Sequence, residues 1–158
     1  MFIELAGRYK DTVFRVALNA LGSPADADDI VQEALFRLLE RSEPFENEAH
    51  VKYWLIRVTL NLCKNALRSP WRRLAPLEAA EEVPVFDRPE QGELYAEVMA
   101  LPEKYRTVLY LFYYEGYSVR EIAEILSIRV TAVTSRLSRA RQKLKFQMTE
   151  LTEGCCNG

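Results

Sequence analysis

The chain has 158 residues, 49% hydrophobic and 28% charged. That is enough apolar content for one compact domain or two small ones, and too much for global disorder. A net charge of −2 and a pI near 5.6 argue against a protein coated in nucleic acid; no apolar run reaches the length of a membrane span or signal-peptide core, so the cytoplasm is the expected location.

The average charge hides segregation. Basic residues crowd into Lys52–Arg73 and Arg129–Lys145, both free of acids, while acids crowd into Asp26–Glu48 and Glu78–Glu97. Such a chain could hold DNA with two surfaces and a basic protein with a third. Strand signals are nearly absent, so the expected fold is all-α: two small helical domains joined by an acidic, proline-containing linker, the second carrying a helix-turn-helix.

The first helix is expected from Phe2 to Leu21, with Leu5, Tyr9, Val13, Val16, Ala17 and Ala20 inward and Gly22 ending it. Ser23-Pro24 restarts the chain, a cap residue before a first-turn proline. Asp26, Asp28 and Asp29 follow near the positive end of the helix dipole. Ile30, Val31, Ala34, Leu35 and Leu38 face inward. Asp29, Gln32, Glu33 and Phe36 gather on the outer face, as a docking surface for a protein or as a solvated face with one stray aromatic.

After the acidic loop Ser42–Glu48, a long helix is expected from Ala49 to Arg68, with Val51, Trp54, Leu55, Val58 and Leu62 as its core side. Its other side presents Tyr53, Arg57, Asn61, Lys64 and Arg68, followed by Trp71, Arg72 and Arg73. Cations interleaved with aromatics suit a phosphate backbone with exposed bases, because an aromatic ring stacks on any base. A long solvated basic helix has the same pattern.

From Leu74 to Gln91, Pro76, Pro84 and Pro89 alternate with acids, which predicts an extended linker. A helix is expected near Gly92–Ala100 and another over Pro102–Glu115, with Val108, Leu109, Leu111 and Phe112 inward and Gly116 closing it. Ser118 with Glu121 forms a capping box that opens the next helix, whose buried side is Ile122, Ala123, Ile125 and Leu126. The break Ser127-Ile128-Arg129-Val130 fits only a sharp corner. The second helix of the pair carries Val133, Leu137, Ala140 and Leu144 at spacings that make one apolar stripe. At about 100° per residue, Thr131, Ser135, Ser138, Arg139 and Gln142 lie opposite. Small hydroxyls and Arg on the outer face of a helix-turn-helix fit major-groove reading, although an amphipathic hairpin with a solvated basic face fits the spacing too.

Read together, ADADDIVQEALFRLLE, YWLIRVTLNLCKNALR and LPEKYRTVLYLFYYEGYSVREIAEILSIRVTAVTSRLSRARQKL resemble, in this order, the extracytoplasmic-function (ECF) sigma factors of the sigma-70 family. The resemblance implies a bacterial polymerase initiation subunit with residues 1–73 as the domain for core docking, minus-ten recognition and melting. It implies 74–91 as linker, 92–150 as the minus-thirty-five domain and 151–158 as a disordered tail. Asp29, Gln32, Glu33 and Phe36 would meet the clamp helices of the polymerase largest subunit. Tyr53, Arg57, Asn61, Lys64, Arg68, Arg72 and Arg73 would hold the minus-ten DNA, with a base captured near Phe45–Glu48. Thr131, Thr134, Ser135, Arg136, Ser138 and Arg139 would meet the minus-thirty-five element. An anti-sigma factor is a further partner the family often has.

The chain departs from the family pattern at Ser127, where Gly is usual, and at Ala132-Val133-Thr134-Ser135, where Thr-Val-Lys-Ser is usual. Asn65 and Val51 replace a frequent Asp and Phe. An operator-binding regulator would also carry the helix-turn-helix, with a dimerising or effector-binding second domain. An enzyme is disfavoured because no Ser/His/Asp set, metal-ligand cluster or phosphate-cradling Gly loop appears, and no cofactor or metal is expected. Cys63, Cys155 and Cys156 with the single His50 are too few for a disulfide framework or a zinc cluster.

Overall fold

The computed structural model describes residues 2–68 and 96–156, with side chains as far as residue 146. These residues form α1 (Phe2–Leu21), α2 (Pro24–Glu40), α3 (Glu48–Arg68), α4 (Glu103–Leu109), α5 (Val119–Leu126) and α6 (Val130–Cys156), with no strand among them. A short helical turn at 96–99 precedes α4. The chain divides into two units, Met1–Val83 and Pro84–Gly158. The expected linker and Trp71, Arg72 and Arg73 lie outside the described residues.

In the first unit α1 packs against both α2 and α3, which also meet each other. Two partners explain why the end of α1 is buried on every side, from Val16 through Leu21, rather than along one stripe. Leu5, before that contact begins, is half-buried. Gly22 takes φ 72, the left-handed conformation open to glycine without steric cost, and its amide donates to the Leu18 carbonyl (2.7 Å). Ser23 then caps α2, its hydroxyl accepting from the Asp26 amide (3.3 Å) ahead of Pro24 in the first turn. Helix α2 buries Ala27, Ile30, Val31, Ala34 and Leu38, with Leu35 half-buried at the margin.

Helix α3 differs from its expected pattern. Val51, Leu55 and Leu62 are buried as the spacing predicts, but so are Ile56, Thr59, Leu60 and Cys63, while Trp54 and Val58 are half-buried. Packing against two helices widens the buried arc and turns it toward Ile56 and Cys63. Thr59 is tolerated at zero exposure because its hydroxyl donates to the Leu55 carbonyl (2.6 Å).

The second unit is built around α6, which packs against α4 and α5. Val133, Leu137 and Ala140 are buried, and Leu144 is half-buried where the helix runs on. Truncating a buried leucine such as Leu137 to alanine typically costs about 2–5 kcal/mol. The expected Pro102–Glu115 helix is α-helical only to Leu109; Tyr110–Tyr114 form a π-helical turn, sealed by the Glu115 amide donating to the Tyr110 carbonyl (3.1 Å). Leu111 is fully buried and Phe112, expected inward, is half-buried. The wider turn places these two neighbours where a regular 3.6-residue repeat does not. Helix α6 also continues through residues 151–156, past the point where the sequence suggests a tail.

The corner between α5 and α6 follows from local chemistry. Ser118 and Glu121 close the capping box in both directions, at 3.2 and 3.1 Å. At the other end Ser127 takes φ 56 and ψ 45. The Ser127 amide donates to the Glu124 carbonyl (3.3 Å) and the Ile128 amide to the Ala123 carbonyl (3.0 Å). That pair of bonds is the Schellman motif, which glycine normally completes. Ser127 pays the Cβ–carbonyl crowding that glycine avoids, of the order of 1 kcal/mol. Ser127→Gly is therefore expected to stabilise the second unit by about 1 kcal/mol, read as a higher denaturation midpoint at an unchanged slope in urea.

Candidate nucleic-acid interfaces

Burying Ile30, Val31, Ala34 and Leu38 leaves Asp29, Gln32, Glu33 and Phe36 exposed on α2, as the periodicity predicts. Phe36 is 54% exposed, and Leu39, three residues on and not picked out from the sequence, is 56% exposed. The two form an apolar strip beside the acids; an i, i+3 search from Phe36 finds Leu39. Glu33 also accepts from Arg37 one turn later (3.3 Å), a surface pair worth about 0.3–0.5 kcal/mol. So weak a tether is readily exchanged for a cation on a partner.

On α3, Arg57, Asn61, Lys64 and Arg68 are exposed at spacings of four, three and four, one continuous face, with Tyr53 half-buried at its start. Asn65 is exposed beside them. The loop ahead of this helix folds onto it. Phe45 meets Trp54 and His50 edge-on, with ring centroids 5.6 and 5.3 Å apart. The Arg41 guanidinium lies 4.3 Å from the Phe45 centroid and 5.1 Å from that of Trp54. His50 accepts the Glu46 amide at Nδ1 (3.2 Å), and Asn47 accepts the His50 amide (2.8 Å), capping α3. The Arg41 contact crosses from one helix to the next and has no signal in local spacing.

On α6, Thr131, Thr134, Ser135, Ser138 and Arg139 are exposed and Arg136 is half-buried. The hydroxyls are not equivalent. Thr134 donates back to the Thr131 and Val130 carbonyls, at 2.9 and 3.3 Å, whereas Ser135 and Ser138 make no such bond among the described residues. The arginines differ as well. Arg141 donates through Nε to the Tyr113 hydroxyl (2.6 Å) and lies against the Phe112 and Tyr113 rings. Arg139 is exposed, and its charge reaches Tyr105 of α4. Lys104 and Lys143 also approach the Tyr105 ring, at 5.1 and 5.5 Å from its centroid. Burial pushes the Tyr105 phenol pKa up, but Arg139, together with the charges of Lys104 and Lys143, outweighs it and holds the value below the usual phenol range.

Comparison with known proteins finds both units in one family. Residues 5–73 match the family model for sigma-70 region 2, and residues 91–144 match that for sigma-70 region 4. The ECF RNA polymerase sigma factor SigM of Mycobacterium tuberculosis is 32% identical over 158 residues, covering 97% of this chain and 80% of its own. SigW of Bacillus subtilis, also an ECF RNA polymerase sigma factor, is 29% identical over 168 residues, covering 95% and 90%. Among solved structures, the sigma factor RpoE of Bartonella quintana has the same fold, with a TM-score of 0.76 at 20% identity over 94% of this chain and 96% of that one. The operator-regulator alternative accounts for the second unit alone.

The cations around Tyr105 leave a pH signature. Arg139→Ala removes two of the influences that lower the phenol pKa and leaves burial in place, so the Tyr105 ionisation moves to higher pH. A tyrosine carbon-13 ζ titration in the alkaline range, assigned with Tyr105→Phe, should show this shift at Tyr105.

Proposed function

The chain belongs to the ECF family of RNA polymerase sigma factors, and we propose that it directs core polymerase to promoters by dividing recognition between its two units. The observation that carries this division is the exposed surface of the first unit. There α2 offers acids flanking Phe36 and Leu39, while α3 offers an acid-free basic face. The α2 face suits a basic protein surface, and Asp29, Gln32, Glu33 and Phe36 dock on the largest-subunit clamp helices. The α3 face suits DNA: Arg57, Lys64 and Arg68, with Arg72 and Arg73 beyond the described residues, neutralise phosphates. Asn61 contributes base selectivity at the minus-ten element, and Tyr53 lies at the start of that face. The second unit reads the minus-thirty-five element with Ser135, Ser138 and Arg139; Thr131, Thr134 and Arg136 border the contact. Residues 74–91 act as a linker, so each modest DNA contact raises the effective concentration of the other.

The role is non-catalytic, since polymerase supplies the chemistry; no cofactor or metal is needed, and the protein works in the cytoplasm. The relative RpoE was crystallised with the anti-sigma factor NepR. A partner of that kind would silence this chain by covering the same DNA-facing helices.

Run-off transcription with purified core polymerase tests the reading directly. Asp29→Lys with Glu33→Lys is expected to weaken co-elution with core polymerase by roughly tenfold or more, because like charges facing across an interface cost several kcal/mol. Helicity should be unchanged, and undiminished co-elution at moderate salt would refute the docking face. Asn61→Ala should reorder the ranking of minus-ten variants, whereas Arg68→Ala should lower promoter-complex stability on every template and shrink the salt slope by about one unit.

A further inference from the structure

Thr134, Ser138, Arg141 and Lys145 follow one another along α6 at spacings of four, three and four, and all are exposed. At about 100° per residue they make one stripe, running along one side of Ser135 and Arg139. Arg141 is the member of this stripe that a neighbouring segment holds in place. Its Nε donates to the Tyr113 hydroxyl (2.6 Å), and its guanidinium lies 5.6 and 5.5 Å from the Phe112 and Tyr113 ring centroids. It makes no ion pair among the described residues. Its charge is therefore fixed in position without being neutralised. We infer that Arg141 and Tyr113 form a preset clamp for a DNA backbone phosphate at the edge of the groove that α6 enters, a site separate from the side chains that read bases. The inference rests on the reading of α6 as the minus-thirty-five helix.

A guanidinium carries five N–H donors, and only the one on Nε is used by Tyr113. The two terminal nitrogens keep theirs, and they form the fork that meets a phosphate through two parallel bonds. The Tyr113 hydroxyl accepts from Nε and keeps its own proton to donate. Both groups reach solvent, since Tyr113 is 61% exposed and Arg141 is exposed as well. A solvated arginine must give up rotamer freedom to hold a phosphate, whereas Arg141 is stacked and hydrogen-bonded before DNA arrives. The π-helical turn supplies the rings. Phe112 and Tyr113 meet edge-on with centroids 5.0 Å apart, and Arg141 lies against both. Glu115, the acid that closes the turn, accepts the Tyr110 hydroxyl (2.8 Å) rather than pairing with Arg141. The fork is left for an anion from outside the chain.

The test measures promoter binding by the full chain with core polymerase as salt is raised. One template carries the minus-thirty-five region and a second begins downstream of it. Arg141→Gln removes the charge and is expected to shrink the salt slope by about one unit on the first template, whatever the minus-thirty-five sequence, and to leave the second unaffected. Arg141→Lys keeps the charge without the fork, so it should retain the slope and lose affinity. Tyr113→Phe keeps the ring and removes only the hydroxyl. It is expected to weaken binding by roughly 2- to 10-fold, the worth of one hydrogen bond, at an unchanged slope and thermal midpoint. An unchanged slope in Arg141→Gln overturns the inference, and a lowered midpoint alongside it makes the contact a tie between α6 and the π-helical turn. Lost preference at particular minus-thirty-five positions makes Arg141 a base reader and also overturns the clamp. Where Arg141→Gln lowers helicity, the other two variants decide: wild-type affinity in both Arg141→Lys and Tyr113→Phe overturns the inference. If the wild type binds both templates with the same affinity and slope, the reading of α6 fails and takes the inference with it.

Discussion

Burial of Val133, Leu137 and Ala140 against α4 and α5 is the constraint on which the second unit depends. Once those side chains are removed from water, the azimuth of α6 is set, and Ser135, Ser138 and Arg139 have no choice but to face outward. A helix turned by one residue, about 100°, would bury Ser138 and expose Leu137. The hydrophobic effect therefore sets the outward surface of α6, although no apolar residue of the stripe belongs to it. The corner at Ser127 matters for the same reason: two hydrogen bonds and one left-handed residue aim α6 at the angle that the stripe then locks.

A similar economy governs the first unit. Helix α1 contacts both α2 and α3, and each of those helices buries its apolar side and leaves its polar side to solvent. The polar side of α2 carries carboxylates, and that of α3 carries cations and Asn61. The near-neutral net charge is thus the sum of opposed surfaces. At physiological salt, charges separated by more than about 8 Å are largely screened, so each face presents its own sign to its own partner.

Contacts between cations and aromatic rings recur where function is proposed. Arg41 lies over Phe45 and Trp54 at the entrance to α3, and Arg141 lies against Phe112 and Tyr113 at the edge of α6. In each case a flexible charged side chain is given a preferred place by a ring from a different segment. Such contacts are worth about 0.5–1 kcal/mol at exposed sites, too little to hold a fold together and enough to bias a rotamer.

Local chemistry made much of the molecule legible without coordinates. The Ser23-Pro24 restart, the Ser118–Glu121 capping box and Gly22 are short-range signals, and the ends of α1 and the start of α5 fall where they indicate. The stripe Val133, Leu137, Ala140 and Leu144 was visible as a period, which is why the outward face of α6 was too. Period gives the direction of a buried face but not its width, because width depends on how many neighbours a helix has. That is why the burial of Ile56, Thr59, Leu60 and Cys63 on α3, which touches two helices, has no signal in the period. The π-helical turn at Tyr110–Tyr114 was equally hidden, since one extra residue in a turn leaves the apolar pattern ambiguous. The fates of the arginines could be decided only by tertiary structure. Arg139 and Arg141 look alike in sequence, two residues apart, yet Tyr113 takes the Arg141 guanidinium while Arg139 stays exposed. Tyr113 lies more than twenty-five residues from Arg141 along the chain, and a long side chain finds its partner in space, where neighbours are set by packing rather than by sequence order.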